Sequence, residues 1–506
     1  MSDNPLVLSA RPGSRSARHR AGPPRPARQR REPMPLVLTA LIVAGALPVA
    51  FVWWQNTIPG SLDSPAADLT AAGRIAGLLA AYLLLVLVAL MARVPLLENR
   101  IGSDTVARLH RALGEYTVAL AFAHAALIVC GYAWQGRTDP LTETWAVVTG
   151  YTDVWLAAVA LGLLGLIGVV SARAVRRRVA YESWYHVHLL AYAATALAFS
   201  HEFAVGTEFS ASPRNRLLWS AAHVVVGAAV VVFRLALPLY RSLRHGVRVA
   251  AVVAEGPGVV SVHLTGRDLD RLGARAGQFL RWRFLARGQW WQSHPYSLSA
   301  APTPDALRIT VKALGDASGA LARLRPGTRV WFEGPYGAFT ARRGTFTARG
   351  TFTARGTFIA RGTFTARWRR GTTRPVLLLA AGAGVTPLRA LYETLPARAR
   401  GGPGHHGGDG GVLLVQRASR DEDLVLHAEL RRIAQARGFG LLAVVGPRGG
   451  PSDDPLRADR LRAMVPGLAE RDVYLCGPAG WTAFVRAELR RAGVPARRIR
   501  TEAFAF

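Results

Sequence analysis

The chain has 506 residues, half of them hydrophobic, and a formal net charge of +31. Its length accommodates two or three domains, and its mean hydropathy of +0.17 suits a polytopic membrane protein better than one large soluble core. The charge does not mark a nucleic-acid groove, because Lys312 is the only lysine and arginine is spread over every segment, and the two cysteines, Cys130 and Cys476, are too few for a Cys₄ iron–sulfur cluster or a structural zinc site.

The first 34 residues carry eight arginines between Arg11 and Arg31, mixed with Pro, Ser and Gly. This composition predicts a disordered, basic cytoplasmic tail. Six apolar stretches follow, at 35–54, 72–93, 106–132, 154–172, 184–204 and 216–239, each long enough to cross a bilayer. Residues 35–240 are therefore expected to form a six-helix, all-α transmembrane bundle in contact with membrane lipid. Arginines crowd the tail, the 93–111 loop, the 173–178 run and the 241–248 exit, while the intervening loops hold few. The positive-inside rule then predicts a multi-pass cell-membrane protein with both termini cytoplasmic.

Four histidines lie in the third and fifth stretches, where an imidazole in hydrocarbon usually has a task. His110 and His124 are 14 residues apart, a rise of about 21 Å and a net turn of about 40°, so they share a helix face. His188 and His201 are 13 apart, about 140° out of phase on an ideal helix, whereas His186 and His201 differ by about 60°. Either the fifth helix contains a bulge, or His186 replaces His188 as the inner residue. Pairing by depth joins His110 with His188 and His124 with His201. Stacked imidazole pairs point to two b-type haems with no open iron position, suited to carrying electrons rather than binding oxygen. Arg93, Arg108 and Arg111 lie at the depth of the inner propionates, or act only as topology signals. The lone His223 is read as a packed side chain.

From about residue 247 the pattern changes to short alternating strands, at 247–253, 259–264, 278–284 and 307–313. Residues 246–340 are expected to form a small antiparallel β-barrel. Next comes a six-residue repeat: GAFTAR at 337–342, then four copies of GTF(T/I)AR ending at Arg367. The period is too short for a solenoid, so 341–373 is read as a duplicated linker. Residues 374–506 alternate buried strands with helices, the rhythm of an α/β doubly wound nucleotide-binding domain. There Gly382, Gly384, Thr386 and Pro387 follow a strand and open a helix, a place for phosphates against backbone N–H groups. Arg417, Ser419 and Arg420, after the strand Val412–Gln416, are candidates to grip a ribose 2′-phosphate, favouring NADPH over NADH.

HPYSLS (294–299), GPYG (334–337), GAGVTP (382–387 from its first Gly) and CGP (476–478), in this order and behind YESWYHVHLLAYAATALAFSH (181–201), resemble the ferric reductase and NADPH oxidase superfamily of membrane flavocytochromes. These join a ferric reductase-like transmembrane domain to a ferredoxin–NADP reductase type module. The resemblance implies an FAD, with Tyr296 packed on the flavin, Ser297 near its reactive N5, and His294, Pro295 and Leu298 completing the motif; His294 stands where other members have arginine. It makes 311–321 the second flavin segment, with Gly315, Ser318 and Gly319 towards a pyrophosphate. It places Cys476, followed by Gly477 and Pro478, beside the nicotinamide, with Glu502 near the site and the terminal aromatic Phe506, or Phe504, stacked on the flavin. The expected activity is transfer of electrons from cytoplasmic NAD(P)H through FAD and two b-type haems to an extracytoplasmic acceptor, a small molecule or metal ion, ferric iron first. A superoxide-producing oxidase, delivery to quinone or a protein, and a non-catalytic redox sensor are the rivals. No protein partner is inferable.

Overall fold

The computed structural model describes residues 33–57, 62–179, 181–337, 339–340, 374–396, 411–447 and 454–504. The basic tail, the tandem repeats and Phe506 lie outside them. The chain divides at Leu237–Pro238 into two compact units.

The N-terminal unit contains six long helices: α1 (Pro33–Asn56), α2 (Pro65–Met91), α3 (Ser103–Gly136), α4 (Val154–Ser171), α5 (Tyr181–Ala204) and α6 (Pro213–Val230). Each predicted apolar stretch coincides with one of them, beginning up to seven residues inside the helix (72 against Pro65) and ending within four residues of it, except the last. There α6 runs on through a π-helical turn (Val231–Ala236) and a final helical segment to His245. Helix starts follow local chemistry. Ser64 caps α2 by accepting from Ala67 N–H, and Ser212 caps α6 by accepting from Asn215 N–H. Each is followed by a proline, whose missing N–H is harmless in the first turn.

Five of these helices, all but α5, are long and apolar enough to cross a membrane. Helix α5 has the length but is interrupted by Ser183, His186, His188, Ser200, His201 and Glu202. Large apolar side chains such as Leu41, Leu47 and Phe51 on α1 and Leu217, Val224 and Val225 on α6 are exposed, as on a lipid-facing surface. Helix α2 packs closely along α3, and α4 along α5, whereas α3 and α5 meet only sparsely. Small residues permit the first approach: a Cβ on Gly131 of α3 would lie 2.4 Å from Thr70 Oγ1 on α2.

The C-terminal unit begins with six strands: β1 (Arg248–Gly256), β2 (Val259–Thr265), β3 (Phe279–Phe284), β4 (His294–Ser297), β5 (Ala306–Lys312) and β6 (Val330–Tyr336). They form two antiparallel sheets, β1-β2-β5 and β4-β3-β6, linked by bridges Leu298↔Ile309 and Arg248↔Arg329. In β3 the period-two pattern sends Leu280, Trp282 and Phe284 into the core with Val262, Ile309 and Phe332.

The second half is a five-stranded parallel sheet of β7 (Val376–Ala381), β8 (Val412–Ala418), β9 (Gly440–Val445), β10 (Asp472–Pro478) and β11 (Ile499–Phe504), in the order β11-β10-β7-β8-β9. Helices α7 (Val385–Thr394) and α8 (His427–Arg437) cover one face, against Leu378, Ala380 and Tyr474. Helices α9 (Ala458–Met464) and α10 (Ala479–Arg491) cover the other, against Leu377, Leu379 and Leu475. From β7 the chain winds outward through β8 to β9, then returns to place β10 on β7's other side. The order therefore reverses between β7 and β10, and a crevice opens beyond their C-terminal ends, where doubly wound sheets bind ligands.

Candidate functional site

In the membrane unit the histidines meet as depth pairing predicts. The rings of His110 and His188 have centroids 5.9 Å apart, and those of His124 and His201 are 6.4 Å apart. A metal ion between two imidazoles, with bonds of about 2.0 Å and the half-width of each ring, needs about 6.3 Å between ring centres. Both pairs fit that spacing. The sparse meeting of α3 and α5 leaves the rings, rather than backbone packing, to span the gap. His124 Nδ1–H donates to the carbonyl of Gly73 at 2.8 Å, and His201 Nδ1–H to that of Ala198 at 2.5 Å. A carbonyl accepts only from a protonated nitrogen, so in both rings Nε2 carries the lone pair and is free to ligate.

His188, not His186, faces His110. His186 is exposed and lies against Tyr185, at 5.8 Å between centroids. His188 stacks on Trp184 at 5.0 Å, and the Arg176 guanidinium covers that indole at 4.7 Å. The bulge expected in α5 is absent, for that helix is continuous; the π-helical turn lies in the last span instead. His223 stays outside the pairs, its Nδ1–H donating to Trp219 O at 3.0 Å.

The sequence reading passed over a buried ion pair beside this site. Arg74 on α2 donates to the Glu208 carboxylate, which is 3% exposed. A lone arginine within an apolar helix was the available signal.

In the C-terminal unit, β4 carries the HPYS segment antiparallel to β3, with Trp282 Nε1–H donating to Tyr296 O at 3.0 Å. Tyr296 and His294 stack at 6.2 Å, and burial pushes the Tyr296 hydroxyl up to about 12. Pro295 pairs with Arg281 across the ladder, and Leu298 is buried at the bridge to β5. Ser297 is buried, yet its hydroxyl has no hydrogen-bond partner. Such an orphan costs about 1–3 kcal/mol and fits a polar group that a flavin would supply. In the second segment the Ser318 hydroxyl accepts from Leu314 and Gly315 N–H, and Gly319 N–H donates to Gly315 O. The loop is preshaped by its own bonds.

At the switch point, Gly382–Gly384 forms a tight turn between β7 and α7, with Thr386 Oγ1–H donating to Ala383 O, and Thr386 and Pro387 opening the helix. A Cβ on Gly384 would stand 2.2 Å from Cys476 O, and one on Gly477 would stand 2.8 Å from the Trp481 ring. Both glycines thus let the two strand ends close upon each other. Cys476 pairs with Ala380 of β7 on one side and Glu502 of β11 on the other, while Pro478 lies opposite Phe504. Burial, with Glu502 adding, pushes the Cys476 thiol well above its ordinary value. It remains a neutral thiol at physiological pH.

Arg417 departs from its expected role. Its guanidinium is buried and donates to the carbonyls of Gly446 and Pro447, tying β8 to the turn after β9. Ser419 and Arg420 are exposed, and Arg420 pairs with Glu422 and Asp423 at 2.5 and 3.5 Å.

Residues 76–199 match the family described as "Ferric reductase like transmembrane component", and residues 244–340 match an FAD-binding domain. These two matches cover the middle of the membrane unit and the six-strand half of the C-terminal unit. Among curated proteins it is 29% identical to a flavohemoprotein of Deinococcus radiodurans, over 51% of this chain and 58% of that one. It is 30% identical to the ferredoxin reductase component of a 3-ketosteroid-9-alpha-monooxygenase from Mycolicibacterium smegmatis, over 51% of this chain and 64% of that one. The chain thus spans about three-fifths of the length of these relatives. Among solved structures it is similar to the FAD/NAD-binding domain of nitric oxide dioxygenase from Vibrio cholerae, at 19% identity and a TM-score of 0.36, covering 52% of this chain and 99% of that one.

Proposed function

We propose that the chain carries electrons from cytoplasmic NAD(P)H, by way of FAD and two b-type haems, to an extracytoplasmic acceptor, with ferric iron as the leading substrate. The observation that carries this reading is the pair of facing imidazole couples, with ring centres at 5.9 and 6.4 Å, in a chain that also has an FAD-binding domain. Counting α5 as a sixth span places the arginine-rich segments and both termini on the cytoplasmic side. Linked at two edges, the six strands β1–β6 are read as an antiparallel barrel.

When bound, the flavin would convert a two-electron hydride into single electrons that haem iron accepts. The protein's part is to bind and to orient. His110 with His188, and His124 with His201, are the residues that would hold the two haems. The Gly73 and Ala198 carbonyls fix the outer rings in the ligating tautomer. The Ser297 hydroxyl would donate to a bound flavin, and Tyr296 would supply an apolar face to it. The turn at Gly382–Gly384 would offer backbone N–H groups to the nucleotide phosphates. Cys476 and Glu502 line the nicotinamide position, where the thiol neither ionises nor attacks.

The full chain, purified in detergent, is expected to show low-spin b-type bands that become reduced on addition of NAD(P)H, and to reduce a ferric chelate faster than it produces superoxide. A spectrum without b-type bands overturns the haem reading. Superoxide production in excess of ferric reduction would replace the reductase with an oxidase.

A further inference from the structure

Helix α2 supplies none of the four imidazoles, yet it touches one closely. Gly73 and Gly77 lie one turn apart on it, both towards α3. The Gly73 carbonyl accepts from His124 Nδ1–H at 2.8 Å. A Cβ added to Gly77 would stand 2.6 Å from His124 Nδ1, 2.8 Å from Cε1 and 3.0 Å from Cγ. The imidazole therefore lies flat against bare backbone, in a space that exists because residue 77 has no side chain.

We propose that Gly77 and the Gly73 carbonyl form the seat that positions the His124 imidazole for ligation, so that α2 sets the geometry of the outer haem without contributing a ligand. This inference rests on the reading of His124 and His201 as haem ligands. The magnitudes favour a positioning role over general packing. Ordinary contact between non-bonded heavy atoms begins at about 3.5 Å, so a methyl at residue 77 displaces the ring by about 1 Å. Metal–ligand distances tolerate only about 0.2 Å. The ring cannot swing away without losing its bond to Gly73. Other glycines of the bundle differ. A Cβ on Gly131 meets Thr70 and the Ala66 carbonyl, a helix–helix contact remote from the ring, and a Cβ on Gly162 meets nothing within 4 Å.

The test uses the full chain in detergent. Wild type, G77A, G131A and G162A are compared by haem content per flavin, low-temperature electron paramagnetic resonance and melting temperature. G77A is expected to lose one of the two low-spin signals, or convert it to high spin, with flavin content retained. G131A is expected to lower the melting temperature without singling out one haem, and G162A to match wild type. G77A with both signals unaltered overturns the proposal, as does the same selective loss in G131A. A wild type without haem instead overturns the underlying functional reading, a separate outcome. If G77A does not accumulate, H124G and the double variant H124G/G77A replace it, since removal of the ring makes room for the methyl. Added imidazole is expected to restore the six-coordinate spectrum of H124G, and about tenfold more imidazole is expected for the double variant. Equal rescue overturns the proposal.

Discussion

Cys476 and Ser297 show how burial sets the chemistry of single side chains. The Cys476 thiol is fully buried between Ala380 and Glu502, and its pKa is raised above the ordinary 9.0. A raised folded-state pKa means the fold holds the proton more tightly than the unfolded chain does. That contribution is complete below about pH 9 and is lost as pH rises beyond it. Wild-type melting temperature is therefore expected to fall more steeply than that of C476S between about pH 8 and pH 10.5, and parallel curves would refute this. Ser297 presents the opposite case, a buried hydroxyl without a partner. S297A is expected to leave flavin-free protein as stable as wild type or about 1 kcal/mol more so, while slowing flavin reduction by NAD(P)H about tenfold to a hundredfold. Stopped-flow absorbance and thermal melts of flavin-stripped protein check both. The motif letters were legible in the sequence; the orphaned hydroxyl was not, because satisfaction of a polar group depends on neighbours from β3 and β5.

At the scale of elements, an ion-pair network joins the two halves of the C-terminal unit. Arg308 on β5 pairs with Glu429 on α8 at 3.0 Å, and Arg389 on α7 pairs with both Glu429 and Glu393. Glu393 also accepts from Ala301 N–H, in the loop after β4. Arg389 and Arg308 are largely buried, with side chains 6% and 11% exposed, so removing their shared carboxylate takes the carboxylate partner from Arg308 and leaves Arg389 with Glu393 alone. E429Q is expected to destabilise the flavin and nucleotide unit by about 3 kcal/mol, read as release of flavin fluorescence at lower temperature. A loss under about 0.5 kcal/mol, as for an ordinary surface pair, would refute it. Elements themselves were legible where local signals add up: apolar stretches of membrane length and alternation in β3. Their pairing was not. Strand β4, four residues long and containing a proline, has no strand signature apart from its motif. The continuous α5 was misjudged because helical phase alone ignores side-chain torsion and helix crossing.

For the whole molecule, the repeats between Thr340 and Arg374 join two structured parts of one unit. Shortening that 33-residue connection by three hexapeptides leaves 15 residues and changes the closure term by only about 0.7 kcal/mol. The deletion is expected to leave NAD(P)H-dependent flavin turnover within about twofold of wild type; a tenfold loss would show that the repeats act in catalysis. What the sequence by itself determined was class and order: a bundle of membrane-length helices, then a flavin module, then a doubly wound nucleotide module. These are written in local periodicity and short motifs, which each segment carries alone. Tertiary structure decided the choice of His188 over His186, the internal role of Arg417, the seat of His124 on α2 and the meeting of Gly384 with Cys476. Each depends on distances between segments far apart in the chain, and no residue encodes such a distance until the other element is packed against it.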